Sequence, residues 1–251
     1  MPEPDLTGRR VVVTGGSRGM GREMVLAFAA RGADVVIASR KIDACVALAD
    51  EVVARHGVRA LPVACNVSHW DQCDALVERA CDEFGGVDVL VNNAGLSPPY
   101  PSVDAVDEAY FDKVVGVNLK GPFRLAAAIG TRMAAGAGGT IVNVTSIEAV
   151  RPHPRSLVYA AAKAGLNALT EGLAQAFGPT VRVNAIQAGP FLTDISAAWT
   201  DEMRREFEQR LALGRCGRPE EVVGAALFLA SDASSFATGA ILRLDGGAAR
   251  M

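Results

Sequence analysis

Short runs of β-branched residues alternate with stretches of helical periodicity along the whole 251-residue chain, and that alternation leaves few folds open. Strands that alternate with helices pair in parallel, each crossover helix lying back on a face of the sheet. In the first unit Arg10-Val11-Val12-Val13-Thr14 reads as a buried strand and the turn Gly15-Gly16-Ser17-Arg18-Gly19-Met20-Gly21 follows at once. Met20, Met24, Val25 and Phe28 then recur at helical spacing, with Gly32 as a stop. Further strands are expected at Ala33–Ala38, Arg59–Ala64, Val87–Val91, Gly139–Ser146, Val181–Ile186 and Ala240–Leu244. Helices are expected at Ile42–Arg55, Trp70–Phe84, about Val103–Val117, Leu119–Ala135, from Ser156, near Ala198–Leu213, and at Glu220–Leu229. Gly136-Ala137-Gly138-Gly139 is a turn, not a boundary. The expectation is one α/β domain over residues 1–251: a Rossmann-type doubly wound, mostly parallel seven-stranded sheet with helices on both faces.

Ligands in such folds bind at the carboxyl ends of the strands, where Gly15, Arg40, Asn92, Ser146 and Gly189 all fall. Gly15, Gly19 and Gly21 stand between a strand and a helix, where glycines let the backbone approach a pyrophosphate and the helix N-terminus favours its charge. Their spacing differs from the usual G-x-G-x-x-G. The second strand ends in Ser39-Arg40-Lys41, where an acidic residue would grip a ribose 2′-hydroxyl. With Arg18 in the glycine turn, these cations suit a 2′-phosphate instead, so NADP is expected and NAD is the alternative. After the fourth strand, Asn92-Asn93-Ala94-Gly95 supplies small and amide residues able to support backbone close to a cofactor; an ordinary turn is the plainer alternative.

Tyr159 and Lys163 are four apart at the start of a helix and share one face. An ammonium there would favour the phenolate and bring a tyrosine toward the pKa range useful in proton transfer. Ser146, at the end of its strand, can offer a hydroxyl to a carbonyl oxygen. An amphipathic helix pair explains the same spacing without chemistry. Asn118 falls at or near the junction of two helices, where an asparagine is costly and bends the chain.

Other classes fit less well. The formal net charge of −3 without a basic stripe speaks against nucleic acid. No apolar run reaches the ~18 residues of a membrane span, and Met1-Pro2-Glu3-Pro4-Asp5 does not read as a signal peptide. Cys45, Cys65, Cys73, Cys81 and Cys216 form no Cys-x-x-Cys pair and are read as reduced packing residues of a cytoplasmic protein. His56, His69 and His153 are scattered and suggest no metal site.

With these residues in order, the chain resembles the short-chain dehydrogenase/reductase family over nearly its whole length. Thr14–Gly21 matches the family's cofactor loop, Asn92-Asn93-Ala94-Gly95 its strand-four motif, and Asn118, Ser146, Tyr159 and Lys163 its catalytic tetrad. The resemblance implies an oxidoreductase moving a hydride between NADP(H) and a carbonyl or secondary alcohol. In it Tyr159 is the general acid or base, Ser146 hydrogen-bonds the substrate oxygen, Lys163 holds the nicotinamide ribose and depresses the Tyr159 pKa, and Asn118 supports a water relay. The implied cofactor set is Gly15, Ser17, Arg18, Gly19, Met20, Gly21, Ser39, Arg40, Lys41, Asn66, Val67, Asn93, Ala94, Gly95, Tyr159, Lys163, Gly189, Phe191 and Thr193. Two positions depart from the family pattern: Asn66 replaces an aspartate near the adenine, and Ala188 replaces a proline, loosening the turn before Gly189.

Ser97–Pro101, Ile147–Arg155 and Phe191–Leu213 are expected to wall the substrate pocket. Glu148 either faces a polar or cationic substrate or lies on the surface; His153 is read as a loop residue. Phe191, Leu192 and Trp199 suggest a lid over about 191–213. Similar proteins are usually homotetramers, and Ala160, Ala161, Ala164 and Ala168 offer a small-residue helix surface for packing. The narrower reading is a 3-oxoacyl-acyl-carrier-protein reductase, with Arg124, Arg132 and Arg151 as candidate carrier contacts. A third is an inactive cofactor-binding scaffold or sensor.

Overall fold

A computed structural model describes residues 4–194, 196 and 199–248. The signal-peptide reading at Met1–Glu3 and the helix start at Ala198 therefore lie outside the described residues.

Seven strands pair in parallel in the order β3-β2-β1-β4-β5-β6-β7: β1 (Arg10–Thr14), β2 (Asp34–Ser39), β3 (Ala60–Ala64), β4 (Val89–Asn92), β5 (Gly139–Ser146), β6 (Val181–Ala188) and β7 (Ile241–Leu244). Strand alternation divides the core. Val11, Val13, Val35, Ile37, Val142 and Val144 pack on one face with α1 (Gly19–Ala29), α2 (Ile42–His56) and α8 (Val223–Ala230). Val12, Val36, Leu90 and Ile141 pack on the other with α3 (Trp70–Phe84), α5 (Gly121–Ala134) and α6 (Leu157–Phe177). A strand buried on both faces needs apolar residues at every position, so these runs are continuous rather than alternating. The chain order reverses between β1 and β4, opening a crevice at the carboxyl ends of the strands.

The expected bounds of α3 and β5 are met residue for residue. Elsewhere local contacts move the ends. The helix expected from Val103 begins at Glu108 as α4 (Glu108–Val115), because Asp107 caps it by accepting from the Tyr110 N–H at 2.7 Å; Val103–Ala105 is a separate 3-10 turn. Between α4 and α5 the chain does not break: Gly116–Lys120 forms a π-helical turn with Asn118 at its centre. β6 runs to Ala188, two residues past expectation, because Ser146 of β5 and Leu244 of β7 both pair with it there. The helix expected from Glu220 starts as a 3-10 turn, Pro219–Val222, before α8. Near Ala198–Leu213 the described helix is α7 (Asp201–Gln209), capped by Thr200.

Candidate active site

A cleft of about 480 Å³ opens above the β1–β4 switch point. Of the expected cofactor set, Gly15, Ser17, Arg18, Gly19, Met20, Gly21, Ser39, Arg40, Lys41, Asn66, Val67, Asn93, Ala94, Gly95 and Thr193 line it. Its floor requires glycine for contact reasons. A Cβ on Gly21 would lie 2.2 Å from the Gly15 carbonyl oxygen, and Gly15 itself has φ +63° with Ala94 Cα 2.9 Å from where its Cβ would stand. Asn93 fixes this turn: its Nδ2 donates to the Thr14 and Gly15 carbonyls at 2.9 and 3.2 Å, and its N–H and that of Ala94 both donate to Thr14 Oγ1. The Ser17 hydroxyl donates to Ser39 Oγ at 2.9 Å, tying the turn to the end of β2.

Arg40 and Lys41 are exposed at the cleft edge with no ion pair among the described residues. Arg18, also exposed, pairs with Asp194 at 3.3 Å across the mouth. Asn66 spends its Oδ1 on the Ser68 N–H and hydroxyl, and the Gln72 side chain accepts from its backbone N–H. Among the described residues its Nδ2 meets no acceptor. A backbone-lined floor at a helix N-terminus with a cationic rim fits a dinucleotide.

The expected catalytic residues do not line this cleft themselves but gather behind Gly95, which does. β5 carries Ser146 at its last position, and α6, capped at Ser156, returns Tyr159 and Lys163 over it. The Ser146 hydroxyl stands near enough to the Tyr159 phenol to favour its ionised form. Lys163 is 3 % exposed, donates from Nζ to the Val144 carbonyl at 2.8 Å, and lies 5.7 Å from the Tyr159 ring centre. Gly95 bridges the two halves of the site, since a Cβ there would sit 3.2 Å from Asn118 Oδ1 and 3.7 Å from Lys163 Nζ. Asn118, fully buried, accepts from the Leu96 N–H and donates to the Leu96 and Val114 carbonyls at 2.8 and 2.9 Å. Its side chain thus takes up a helix carbonyl inside the π turn and holds the loop after β4.

The titration of the pair runs opposite to expectation. Burial pushes the Tyr159 phenol up to about 12; the Ser146 hydroxyl pulls it back and the nearby Glu148 carboxylate adds to the rise. Burial also brings the Lys163 ammonium down to about 8. Lys163 therefore does not depress Tyr159 through the protein's own groups: its Nζ is turned to a backbone carbonyl, and desolvation disfavours both charged forms.

Other assignments change as well. Tyr159, Lys163, Gly189 and Phe191, the other four of the expected cofactor set, do not line the cleft. Gly189 is needed for packing, a Cβ there meeting Asp245 Cα at 2.6 Å, and its N–H donates to the Leu244 carbonyl at 2.9 Å. Ala188 does not loosen this turn, which β pairing and the Phe191–Gly217 bridge hold. Phe191 is 7 % exposed and belongs to the core, not to a lid. Within the 191–213 segment, Ile195, Ala197 and Ala198 lie outside the described residues; Trp199 stacks on Phe207 at 4.8 Å. Ser97–Pro101 does meet the start of α6: Tyr100 donates to the Pro154 carbonyl at 2.8 Å and accepts from the Leu157 N–H at 2.9 Å. Ala160 is buried, leaving Ala161, Ala164 and Ala168 as the exposed alanine stripe. Ala44, Cys65, Leu96, Val117 and Asp194 also line the cleft. All but Ala44 are direct neighbours of expected site residues, which was the available signal.

The carrier-contact arginines are largely spoken for. Arg124 pairs with Asp74 at 2.5 Å and stacks over Trp70, Arg132 pairs with Glu78, and Arg151 donates to the Ala248 carbonyl. All five cysteines are free. No helix among the described residues is long and apolar enough to cross a membrane.

Comparison with known proteins agrees with this geometry. Residues 15–249 match a family model described as enoyl-(acyl carrier protein) reductase. The chain is 39% identical over 250 residues to an L-rhamnose 1-dehydrogenase (NAD(P)(+)) of Azotobacter vinelandii, covering 96% of this chain and 97% of that one. It is 36% identical over 246 residues to a 3-oxoacyl-acyl-carrier-protein reductase of Thermotoga maritima, covering 96% and 98%. Among solved structures, a 7α-hydroxysteroid dehydrogenase complexed with NADH and 7-oxo glycochenodeoxycholic acid superposes with a TM-score of 0.93 at 32% identity, covering 98% and 96% of the two chains. The chain is an NAD(P)-binding oxidoreductase of the short-chain dehydrogenase/reductase family, acting on CH–OH groups or the matching carbonyls.

Proposed function

We propose that the protein is an NADP-preferring dehydrogenase/reductase of a small secondary alcohol or ketone, with Tyr159 as its general acid and base. The observation that carries this reading is the gathering of Ser146, Tyr159 and Lys163 behind Gly95, a lining residue of a cleft whose rim holds Arg18, Arg40 and Lys41. A bound nicotinamide would supply or accept the hydride. As negative charge develops on a carbonyl oxygen, Tyr159 donates its proton and Ser146 donates a hydrogen bond to the same atom. A phenol held up to about 12 is fully protonated at neutral pH, the form needed for reduction. Lys163, brought down to about 8, can pass a proton near neutrality, and Asn118 keeps the adjoining loop in place for a water path to it. The nicotinamide carboxamide is assigned to Thr193, the one residue of that segment's expected pair that lines the cleft, and the segment 192–213 to a lid.

The relatives do not decide the cofactor, one carrying NAD(P)(+) in its name and another NADH in its structure. The cations at the end of β2, with no carboxylate opposing them there, favour a 2′-phosphate. Action as a 3-oxoacyl-acyl-carrier-protein reductase fits less well, because the carboxylates of α3 already neutralise Arg124 and Arg132. A homotetramer is proposed on the exposed Ala161, Ala164 and Ala168 stripe and the exposed Phe236 and Leu242; sedimentation at micromolar concentration checks it, a monomer peak counting against it. A cytoplasmic location is proposed on the free thiols.

A panel of ketones, alcohols and sugars followed by nicotinamide absorbance tests the main reading. Turnover with a lower KM for NADP than for NAD is expected. Tight nucleotide binding with no turnover anywhere on the panel would leave the scaffold reading instead.

A further inference from the structure

Glu148 takes no part in the nucleotide cleft, yet it stands beside the reacting end. It lies in the one-turn 3-10 segment Ile147–Ala149 that continues β5, and its backbone N–H donates to Ser146 Oγ at 3.2 Å. Its carboxylate is held from the opposite side. Ser156 Oγ, buried at the start of α6, donates to Oε2. Among the described residues no donor reaches the other oxygen, Oε1, and the residue is only partly buried.

Among the described residues no cation compensates this group: burial raises its pKa and the Ser156 hydroxyl opposes the rise, with no described arginine, lysine or histidine contributing. Of the basic residues in the adjoining loop, Arg151 donates to the Ala248 carbonyl, and His153 Nδ1 accepts from the Arg155 N–H. A half-buried carboxylate held by a single hydroxyl is costly to keep charged, and its charge opposes ionisation of the neighbouring phenol. A substrate that brings its own donor relieves both costs.

We propose that Glu148 is a specificity-determining residue that selects substrates bearing a hydroxyl or a protonated amine on the carbon next to the reacting carbinol, and rejects a carboxylate there. The inference rests on Ser146 and Tyr159 holding the substrate oxygen, as proposed above. The Glu148 N–H is tied to Ser146 Oγ and its carboxylate to Ser156, three residues before Tyr159, so the group is fixed next to the pair that holds the reacting oxygen, and a substituent on the adjoining carbon is the part of a substrate nearest to it. The donor set therefore points to vicinal diols and amino alcohols.

The test uses whichever carbon skeleton the wider panel finds turned over. On that skeleton the parent alcohol, its vicinal diol, its vicinal amino alcohol and its vicinal hydroxy acid are compared with the wild type, Glu148→Gln and Glu148→Ala, each variant checked for its melting temperature. The wild type is expected to favour the amino alcohol over the parent by roughly tenfold or more in kcat/KM and to disfavour the hydroxy acid. Glu148→Gln, which keeps an acceptor but no charge, is expected to lose that amino-alcohol preference mainly through KM. It retains part of the diol preference, and parent turnover rises as the charge beside Tyr159 is gone. Glu148→Ala is expected to lose both preferences. A wild type without preference, or a preference that survives both substitutions, overturns the inference and leaves the dehydrogenase reading standing. Absence of turnover on the whole panel removes that reading, and this one with it.

Discussion

The two ends of the site obey different physics. The nucleotide end is built from backbone: glycines that admit no Cβ, N–H groups at the start of α1, and a rim of exposed cations. The other end is built from a buried Lys163 and a half-buried Tyr159 whose charge states desolvation has moved, Tyr159 up to about 12 and Lys163 down to about 8. The first end binds by shape and accepts charge at its rim, where water screens it. The second stores electrostatic cost, which a folded scaffold can bear because the two core clusters on either side of the sheet are fully packed. Substitutions at the two ends are therefore expected to fail in different ways.

The sharpest separation comes from Tyr159→Phe. Removing the hydroxyl takes away the proposed proton donor and leaves the glycine turn untouched, so turnover is expected to fall by about 10³-fold while nucleotide affinity, read by fluorescence titration, stays within a factor of two. Gly21→Val does the reverse. With Gly15 O only 2.2 Å from the new Cβ, the turn is forced open, and nucleotide affinity is expected to drop roughly 10- to 100-fold. If Tyr159→Phe lost nucleotide binding equally, the division between the two ends would collapse.

Stability distinguishes them next. Lys163 is buried with one backbone acceptor, so Lys163→Met is expected to abolish turnover yet raise stability at pH 7 by about 2 kcal/mol, the cost of the buried ammonium less one hydrogen bond. Its pKa falls from 10.5 in the unfolded chain to about 8 in the folded one, so the unfolded state binds more protons between those values. Wild-type stability therefore gains on the variant as pH rises from 8 toward 10, and the advantage of methionine shrinks there. Denaturant melts of both proteins at pH 7 and 9.5 check the sign.

How much of this the amino-acid string carried also divides along the same line. Trp70–Phe84 and Gly139–Ser146 were legible to the residue because apolar spacing and glycine punctuation act locally, as Gly85 does at the end of α3. The lining of the nucleotide cleft was legible because backbone geometry demands particular residue types. The π turn at Gly116–Lys120 was not: a costly asparagine marked the place, but the carbonyls it bonds belong to Leu96 and Val114, and only folding brings the first of these near. The direction of the Tyr159 shift was misread for a similar reason. Spacing placed an ammonium near a phenol, but desolvation depends on everything packed around both. Phe191, read as lid, is core because Gly217, 26 positions on, leaves room for its ring.

At the rim the expected effects are smaller. Arg40→Ala is expected to lower the ratio of NADP to NAD efficiency by about tenfold, the worth of one charge-assisted contact at an exposed site, with no change in melting temperature.

The smallest effect concerns Arg18, which has a carboxylate already at hand. Its ion pair with Asp194 joins the glycine turn to the segment after Thr193 at 3.3 Å, with side chains 62 % and 55 % exposed. Exposed pairs of this kind are worth less than ~1 kcal/mol. A 2′-phosphate would therefore compete for the guanidinium against a weak rival, and releasing Arg18 by Asp194→Asn is expected to lower the NADP KM by no more than about fivefold. The NAD KM, which involves no such competition, is expected to stay put. Salt discriminates further: at ~1 M the Debye length shrinks to about 3 Å, the pair is screened in the wild type, and the two proteins converge. A persistent difference at that salt would mean that Asp194 acts through the position of Thr193 in the cleft wall, a shape effect of the kind that governs the glycine floor, rather than through the charge of Arg18.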